Sequence, residues 1–390
     1  MNSIYLDHAA TTPVRPEVLA AMQPYFSEAF GNASSIHRFG QEAKKALEDA
    51  REVVATCLGV KPDEVCFMSG GTESDNLALK GIAYANQDKG KHLITSAIEH
   101  HAVLNCCRHL EEDGFEVTYV PVDEHGVVEV GAIEEAIRED TVLISVMLGN
   151  NETGTLQPIS EIARIVKKRG VLLHTDAVQA VGKVAVNVDD LGVDLLSLTA
   201  HKLYGPKGVG ALYVRQGSPI CPLFHGGHHE HGKRAGTENV AGVVGLATAM
   251  QLASDEMQTT SPRLAALRDR LERGIAERIQ HTRLNGHPAQ RLPHILSMSF
   301  ELVEGQSLLL ALDMRGIAVS AGAACISGSA EPSHVLQAMR VDPAAAQGTV
   351  RFSVGRENTE GEMDCVLEAL VEIVRDLRQA APVTTDRTRE

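Results

Sequence analysis

The chain has 390 residues, 44% of them hydrophobic, and a formal net charge of −15 at pH 7. That length buries a large core and suits two domains better than one, while the charge argues against nucleic acid or an anionic membrane as the main partner. No run approaches the roughly 20 apolar residues needed to span a bilayer. The first residues also lack the basic start and apolar core of a signal peptide, so the expected location is cytoplasmic.

In chain order, residues 3–14 read as a short strand and a polar turn, and 16–30 as a helix stopped by Gly31-Asn32. A further helix follows Ser34-Ser35-Ile36-His37, with Ala43, Ala46, Leu47, Ala50 and Val54 on its buried side. Short Val/Ile/Leu runs at 65–68, 92–95, 117–122, 142–148, 171–174 and 195–198 read as strands. They alternate with helical patterns at 73–85, 102–110 and 159–168. This is an α/β pattern, a mostly parallel sheet covered by helices on both faces.

The pattern changes after residue 255. Ser261-Pro262 is expected to open a long helix with Leu264, Leu267, Leu271, Ile275 and Ile279 on one stripe. Strands at 295–300, 318–319 and 350–354, with helices at 306–315 and 361–377, suggest a smaller α+β domain. The expected division is a large domain over 15–255 and a small one formed by 1–14 with 256–379. The stretch 380–390 has no periodicity and reads as a disordered tail.

Seven cysteines, an odd number with no CxxC pair, form neither a disulfide framework nor a zinc site. Cys57, Cys66, Cys106, Cys107, Cys221 and Cys365 read as small hydrophobes in apolar segments. Cys325 instead sits in Ser320-Ala321-Gly322-Ala323-Ala324-Cys325-Ile326-Ser327-Gly328-Ser329, a run of small residues suited to carrying a thiol between two sites. The cluster His225, His228, His229 and His231 has no standard zinc spacing.

Four strand ends carry residues with chemical potential. Gly70-Gly71-Thr72 joins a strand to a helix start, where free N–H groups favour a phosphate. His100, in Glu99-His100-His101, follows a second strand. Asp176 ends a third, with Gln179 in the same turn; a buried acid there needs a cap, a pair or a cationic ligand. Lys202 follows a fourth, held in Leu198-Thr199-Ala200-His201-Lys202-Leu203-Tyr204-Gly205-Pro206-Lys207-Gly208, which leads into the apolar run 209–214. A phosphate site, a lysine for a Schiff base, an acid for a pyridine nitrogen and a histidine to stack on a ring together suit pyridoxal 5'-phosphate.

At these residues the chain resembles the cysteine desulfurases of the nitrogen-fixation and iron–sulfur-cluster type, within the class V aminotransferase, fold type I enzymes. The motifs are Ser69-Gly70-Gly71-Thr72-Glu73-Ser74-Asp75-Asn76, Asn150-Asn151-Glu152-Thr153-Gly154, His174-Thr175-Asp176-Ala177-Val178-Gln179 and Ala200-His201-Lys202-Leu203-Tyr204-Gly205-Pro206-Lys207-Gly208. The resemblance implies a seven-stranded sheet in the large domain. It implies that Lys202 is the Schiff-base lysine, His100 the stacking group, Asp176 the partner of the ring nitrogen and Gln179 the contact of the ring hydroxyl. It assigns the phosphate to Gly71, Thr72, Thr199 and His201, with Thr237 reaching the phosphate of a partner subunit in a homodimer. Asn151 and Arg351 would hold L-cysteine, and Cys325 would take its sulfur as a persulfide, with His100 nearby to handle the thiol proton. The persulfide would pass to an iron–sulfur scaffold or another acceptor protein. The Cys325 loop differs from the usual family pattern at Ala321, Ala323 and Ile326, each of which lacks a hydroxyl. A selenocysteine lyase, an aminotransferase-like relative or a carrier that no longer turns over are the alternatives.

Overall fold

The computed structural model describes residues 3–321 and 333–380. β1 (Ile4–Tyr5), α1 (Pro16–Met22), α2 (Pro24–Ser27) and α3 (Arg38–Leu58) lead to β2 (Val65–Met68). Strands and helices then alternate: α4 (Gly71–Ala85), β3 (His92–Ser96), α5 (His101–Glu112), β4 (Glu116–Val120), α6 (Val130–Ala136), β5 (Thr141–Ser145), α7 (Ile159–Arg169), β6 (Leu172–Asp176), α8 (Val188–Leu191), β7 (Leu195–Thr199) and β8 (Gly210–Val214). The remainder is α9 (Val240–Arg278), β9 (Thr282–Asn285), β10 (Ile295–Phe300), α10 (Gly305–Asp313), β11 (Ile317–Ala318), α11 (His334–Ala338), α12 (Pro343–Gln347), β12 (Thr349–Ser353) and α13 (Glu360–Ala380).

Seven strands form one sheet in the order β2-β8-β7-β6-β5-β3-β4. The pairs from β7 through β4 are parallel, and β8 runs antiparallel to both its neighbours. β2 therefore points the same way as β7, and the carboxyl ends of β2, β3, β6 and β7 share one edge. Every residue of β2, β3, β5, β7 and β8 is buried, which is why these strands read as continuous apolar runs rather than alternating ones. The mixed direction at β8 was not expressed in the sequence pattern.

The smaller sheet, β12-β10-β9, is antiparallel, and β1 pairs in parallel with β11, which joins the start of the chain to this part. Its core holds Leu6, Leu296, Phe300 and Phe352 against Leu264, Leu267, Leu271 and Ile275 of α9 and Leu370 of α13. No helix among the described residues is long and apolar enough to cross a membrane.

The structure corrects several expected boundaries. The predicted helix 16–30 is two short helices divided at Pro24, and its expected end, Phe30, is exposed. The helix expected to open at Ser261-Pro262 is the second half of α9, a single element of 39 residues that runs through Pro262. Pro262 removes one N–H and ordinarily breaks a helix. Here both halves are anchored, Val243, Leu246 and Met250 in the core of the large sheet and Leu264 to Ile275 in that of the small one. That burial outweighs one missing hydrogen bond. The division expected at 255/256 thus falls inside a continuous helix. β9 has a polar sequence, Thr-Arg-Leu-Asn, and gave no strand pattern. Cys365 is exposed, not apolar core, and Cys57 and Cys221 are half-buried.

Candidate active site

The shared strand edge gathers the predicted residues. Met68 ends β2, and Gly70 caps α4, a helix of 15 residues. A Cβ added to Gly71 would lie 2.7 Å from Val178 Cγ2 and 4.0 Å from Thr199 Cβ, so only glycine lets the α4 start approach the turn after β6 this closely. Beside it opens a cleft of about 440 Å³ lined by Gly70, Gly71, Thr72, Thr199, His201 and Lys207. The first N–H groups of a helix have no partner within it and carry the positive end of its dipole. Two hydroxyls, an imidazole and a lysine complete an anion site. Glu73 does not spoil it, because its carboxylate is turned back, accepting from Ser69 N at 2.6 Å and Arg234 Nε at 3.0 Å.

Lys202 lies on a 3-10 turn, Ala200–Lys202, directly after β7. Its Nζ donates to the carbonyls of Ala9 and Ala10 at 2.5 and 2.6 Å, which holds the amine against the turn after β1. Gln179 donates from Nε2 to the same Ala9 carbonyl at 2.9 Å. His201 meets Thr11 Oγ1 through Nδ1 at 3.2 Å, and burial followed by the charges of Lys202 and Lys207 pushes it down to about 4.

Asp176 accepts from Val178 N at 2.9 Å, yet burial still pushes its carboxyl up to about 6. Behind it sits Asp75, on the inner face of α4, buried with Oδ1 lacking a hydrogen-bond partner. Burial and the nearby Asp176 carboxylate hold Asp75 well above the usual carboxylate range. A buried acid with a second acid at its back is an environment that a cationic ligand group relieves.

His100 caps α5, its Nδ1 accepting from Ala102 N at 3.1 Å. Burial, then the Lys202 charge, pushes it down to about 4. It is therefore a neutral imidazole at pH 7, and with Nδ1 accepting, the proton resides on Nε2. It borders a second cleft, of about 350 Å³, that shares Thr72 with the first. Next to it Glu99 is fully enclosed, accepting from Ser96 Oγ at 2.5 Å and Met147 N at 2.9 Å, and burial pushes it up to about 8.

A raised carboxyl contributes stability below its unfolded value and loses that contribution as pH rises through the folded one. For Glu99 the loss runs from the ordinary range of about 4.5 to about 8. Glu99→Gln keeps an acceptor for Met147 N and is expected to flatten this slope, gaining on the order of 2–4 kcal/mol relative to the parent at alkaline pH. Urea unfolding of both proteins on either side of that window measures it; parallel pH curves would refute the assignment.

Arg351 is buried on β12 and its fork is engaged, donating to Asn151 O at 2.9 Å and to Asp7 Oδ1 at 2.8 Å, while Nε is buried without a partner. A carboxylate entering here would take over from Asp7. Thr237 is exposed and lines a separate small cavity, about 100 Å³, with Arg234, Gly236 and Glu238. It does not line the cleft beside Gly71 and Thr72, although the two cavities share Ser69 and Gly208. Cys325 lies outside the described residues. Among the described residues no group of three His, Cys, Asp or Glu side chains could hold a metal, so the His225, His228, His229, His231 cluster forms no such centre there.

Sequence reasoning passed over Asp75 and Glu99. Both stood inside quoted motifs, but an acid on a helical or turn segment reads as exposed unless its neighbours in space are known.

The family model for class-V aminotransferases matches residues 4–366. The cysteine desulfurase IscS of Dictyoglomus turgidum is 53% identical over 381 residues, covering 98% of this chain and 97% of that protein. Among solved structures, a NifS-like protein superposes with a TM-score of 0.90 at 42% identity, covering 96% of this chain and all of the other. A second, SspA in complex with cysteine, gives a TM-score of 0.79 at 38% identity over 90% of this chain and 99% of its own. The chain belongs to the class V aminotransferase family, among its cysteine desulfurases.

Proposed function

We propose that the protein is a pyridoxal-phosphate-dependent L-cysteine desulfurase that moves the sulfur of L-cysteine onto the Cys325 thiol and releases L-alanine. The observation that carries this is that the α4 start, Asp176, Thr199, His201 and Lys202 follow strand ends on one edge of the sheet, in a chain whose near-full-length relative is a cysteine desulfurase. The residues fit the cofactor: Gly71, Thr72, Thr199 and His201 would take its phosphate, Asp176 its ring nitrogen, Gln179 its hydroxyl and Lys202 its aldehyde. When bound it supplies a sink for the electrons left behind as the substrate's α-proton departs.

The chain's own groups do the rest. Asp176, whose buried carboxylate favours a cationic partner, would keep the ring nitrogen protonated. Lys202 would take the α-proton on Nζ and return one to carbon. Arg351 and Asn151 fix the carboxylate of L-cysteine, a ligand that the SspA structure contains. His100, neutral with its proton on Nε2, would donate a hydrogen bond at the substrate face, and the Cys325 thiol would lose its proton to solvent. The C–S bond of L-cysteine breaks, an S–S bond forms at Cys325, and a C–H bond completes alanine, so no external oxidant or reductant is consumed.

Thr237 would serve the site of a second subunit in a homodimer; its exposure, and its not lining the Gly71–Thr72 cleft of its own chain, support that reading. The sulfur acceptor is an iron–sulfur scaffold or a comparable thiol protein. The test is the visible spectrum of the purified protein with pyridoxal phosphate, before and after L-cysteine, with an added dithiol to reduce the Cys325 persulfide to sulfide and with alanine and sulfide measured together. A yellow band that shifts, with both products formed, is expected. A yellow protein making no alanine would move the reaction to another member of the family.

A further inference from the structure

Lys183 is 7% exposed, yet burial alone accounts for its shift, down to about 8, with no carboxylate opposing it. Its Nζ donates to the carbonyl of Lys202 at 3.1 Å and lies 5.2 Å from the centre of the Tyr204 ring. Tyr204 is buried in a left-handed conformation, φ 62°, and its hydroxyl accepts from Arg356 N at 2.8 Å. One ammonium thus braces both the residue that ends the 3-10 turn and the aromatic two positions on.

The groups facing this cation leave its charge uncompensated. From the turn after β1 comes His8, pushed down to about 4 by burial and then by Lys183 itself. From the segment before β10 comes His294, held well below its ordinary value by burial and then by Lys183. Both rings carry a buried Nδ1 with no partner. On the opposite side Lys183 shares a cavity of about 20 Å³ with Arg15, Tyr204, Glu256 and Arg356. Glu256, the acid there, accepts two hydrogen bonds from Arg15 at 2.7 and 2.9 Å and has Arg356 at 3.9 Å, so its charge is already answered.

We propose that Lys183 is a positioning residue for Lys202, fixing its turn through the Lys202 carbonyl and, as a buried cation behind it, disfavouring protonation of the Lys202 amine. A neutral amine is what a nucleophile or base at this position needs, and Asp176 at the front of the site pulls the other way. The inference rests on the reading of Lys202 as the reactive amine.

The full-length chain, freed of cofactor, is treated with salicylaldehyde and borohydride over a pH range of about 6 to 10, and modification at Lys202 is read by peptide mass spectrometry. In Lys183→Met, labelling at about pH 6 to 7, where the parent's Lys183 is charged, is expected to fall by up to about tenfold, the size of a charge effect at an effective dielectric of about 20. In Lys183→Arg, whose charge persists, labelling in that range is expected to match the parent's. If the methionine variant does not fold, Lys183→Gln, which also removes the charge, takes its place. Labelling of the methionine or glutamine variant at the parent's rate overturns the inference while leaving Lys202 as the amine. Absence of labelling at Lys202 in the parent overturns both.

Discussion

Replacing Lys202 with alanine is expected to lower alanine formation by on the order of 10²–10⁴-fold, the range of a lost acid–base group, with further loss from the missing covalent link to cofactor. The side chain is half-buried and its Nζ is bonded to two carbonyls in the turn after β1. The turn itself is held by backbone and by Lys183, so the variant should fold and show a thermal midpoint close to the parent's. Lys202→Arg separates charge from chemistry: it keeps a cation near Asp176 but offers no neutral amine near neutral pH. Both variants should therefore be inactive, with the arginine variant retaining more of the stability that a cation beside Asp176 provides. Alanine formation within tenfold of the parent in either variant would remove Lys202 from the chemistry.

The strand ends were legible because each is a buried apolar run that gives way to polar residues. Asp176 at the end of Leu172–Asp176 and Lys202, three residues past Leu195–Thr199, say little singly; it is their combination with Gly71-Thr72 and His100 at other strand ends that singled them out. The parallel order of the sheet could be expected as a class but not as a sequence of strands, and β8 shows why. A strand buried on both faces looks the same whichever way it runs, so Gly210–Val214 gave no sign that it is antiparallel.

What stayed hidden depended on contacts between distant segments. Pro262 reads as a helix start by its own chemistry, and only the two cores gripping α9 overrule it. The tautomer of His100 follows from the Ala102 N–H two residues on, a detail of capping geometry that composition does not contain. It bears on the role expected from the sequence: with Nδ1 accepting from Ala102 N the ring offers a hydrogen bond from Nε2, and taking a thiol proton would require that Nδ1 contact to open. Arg351 was expected to hold the substrate with Asn151; the structure adds that its fork is donated to Asp7 Oδ1 and the Asn151 carbonyl, residues 344 and 200 positions away.

Removing either member of the Arg51–Glu230 pair is expected to cost about 3–5 kcal/mol of stability, the penalty for stranding one charge in an interior. Arg51 on α3 and Glu230 are both almost wholly enclosed, and they meet through two hydrogen bonds of 2.7 and 2.9 Å. Arg51 also donates to Val65 O at 2.8 Å and stacks over Phe67, while Glu230 accepts from Phe67 N at 2.8 Å. The pair therefore ties α3 and β2 to the segment that carries Arg234 and Thr237. That segment is turned by two left-handed residues, Glu230 at φ 48° and His231 at φ 55°, a conformation that side chains adopt only when their surroundings fix it. Arg51→Met leaves the Glu230 carboxylate with one backbone donor, Phe67 N; Glu230→Gln leaves the guanidinium only the half-exposed Glu48, 3.3 Å from its Nε, as counter-charge. The double variant Arg51→Met with Glu230→Gln strands neither charge and should recover part of the loss, a coupling that urea unfolding of all four proteins measures directly. Single variants within about 1 kcal/mol of the parent would mean that water reaches the pair and that the segment is held from elsewhere. If the losses appear as expected, cofactor retention should fall with them, because Arg234, the partner of Glu73 in the first turn of α4, hangs from the same anchor.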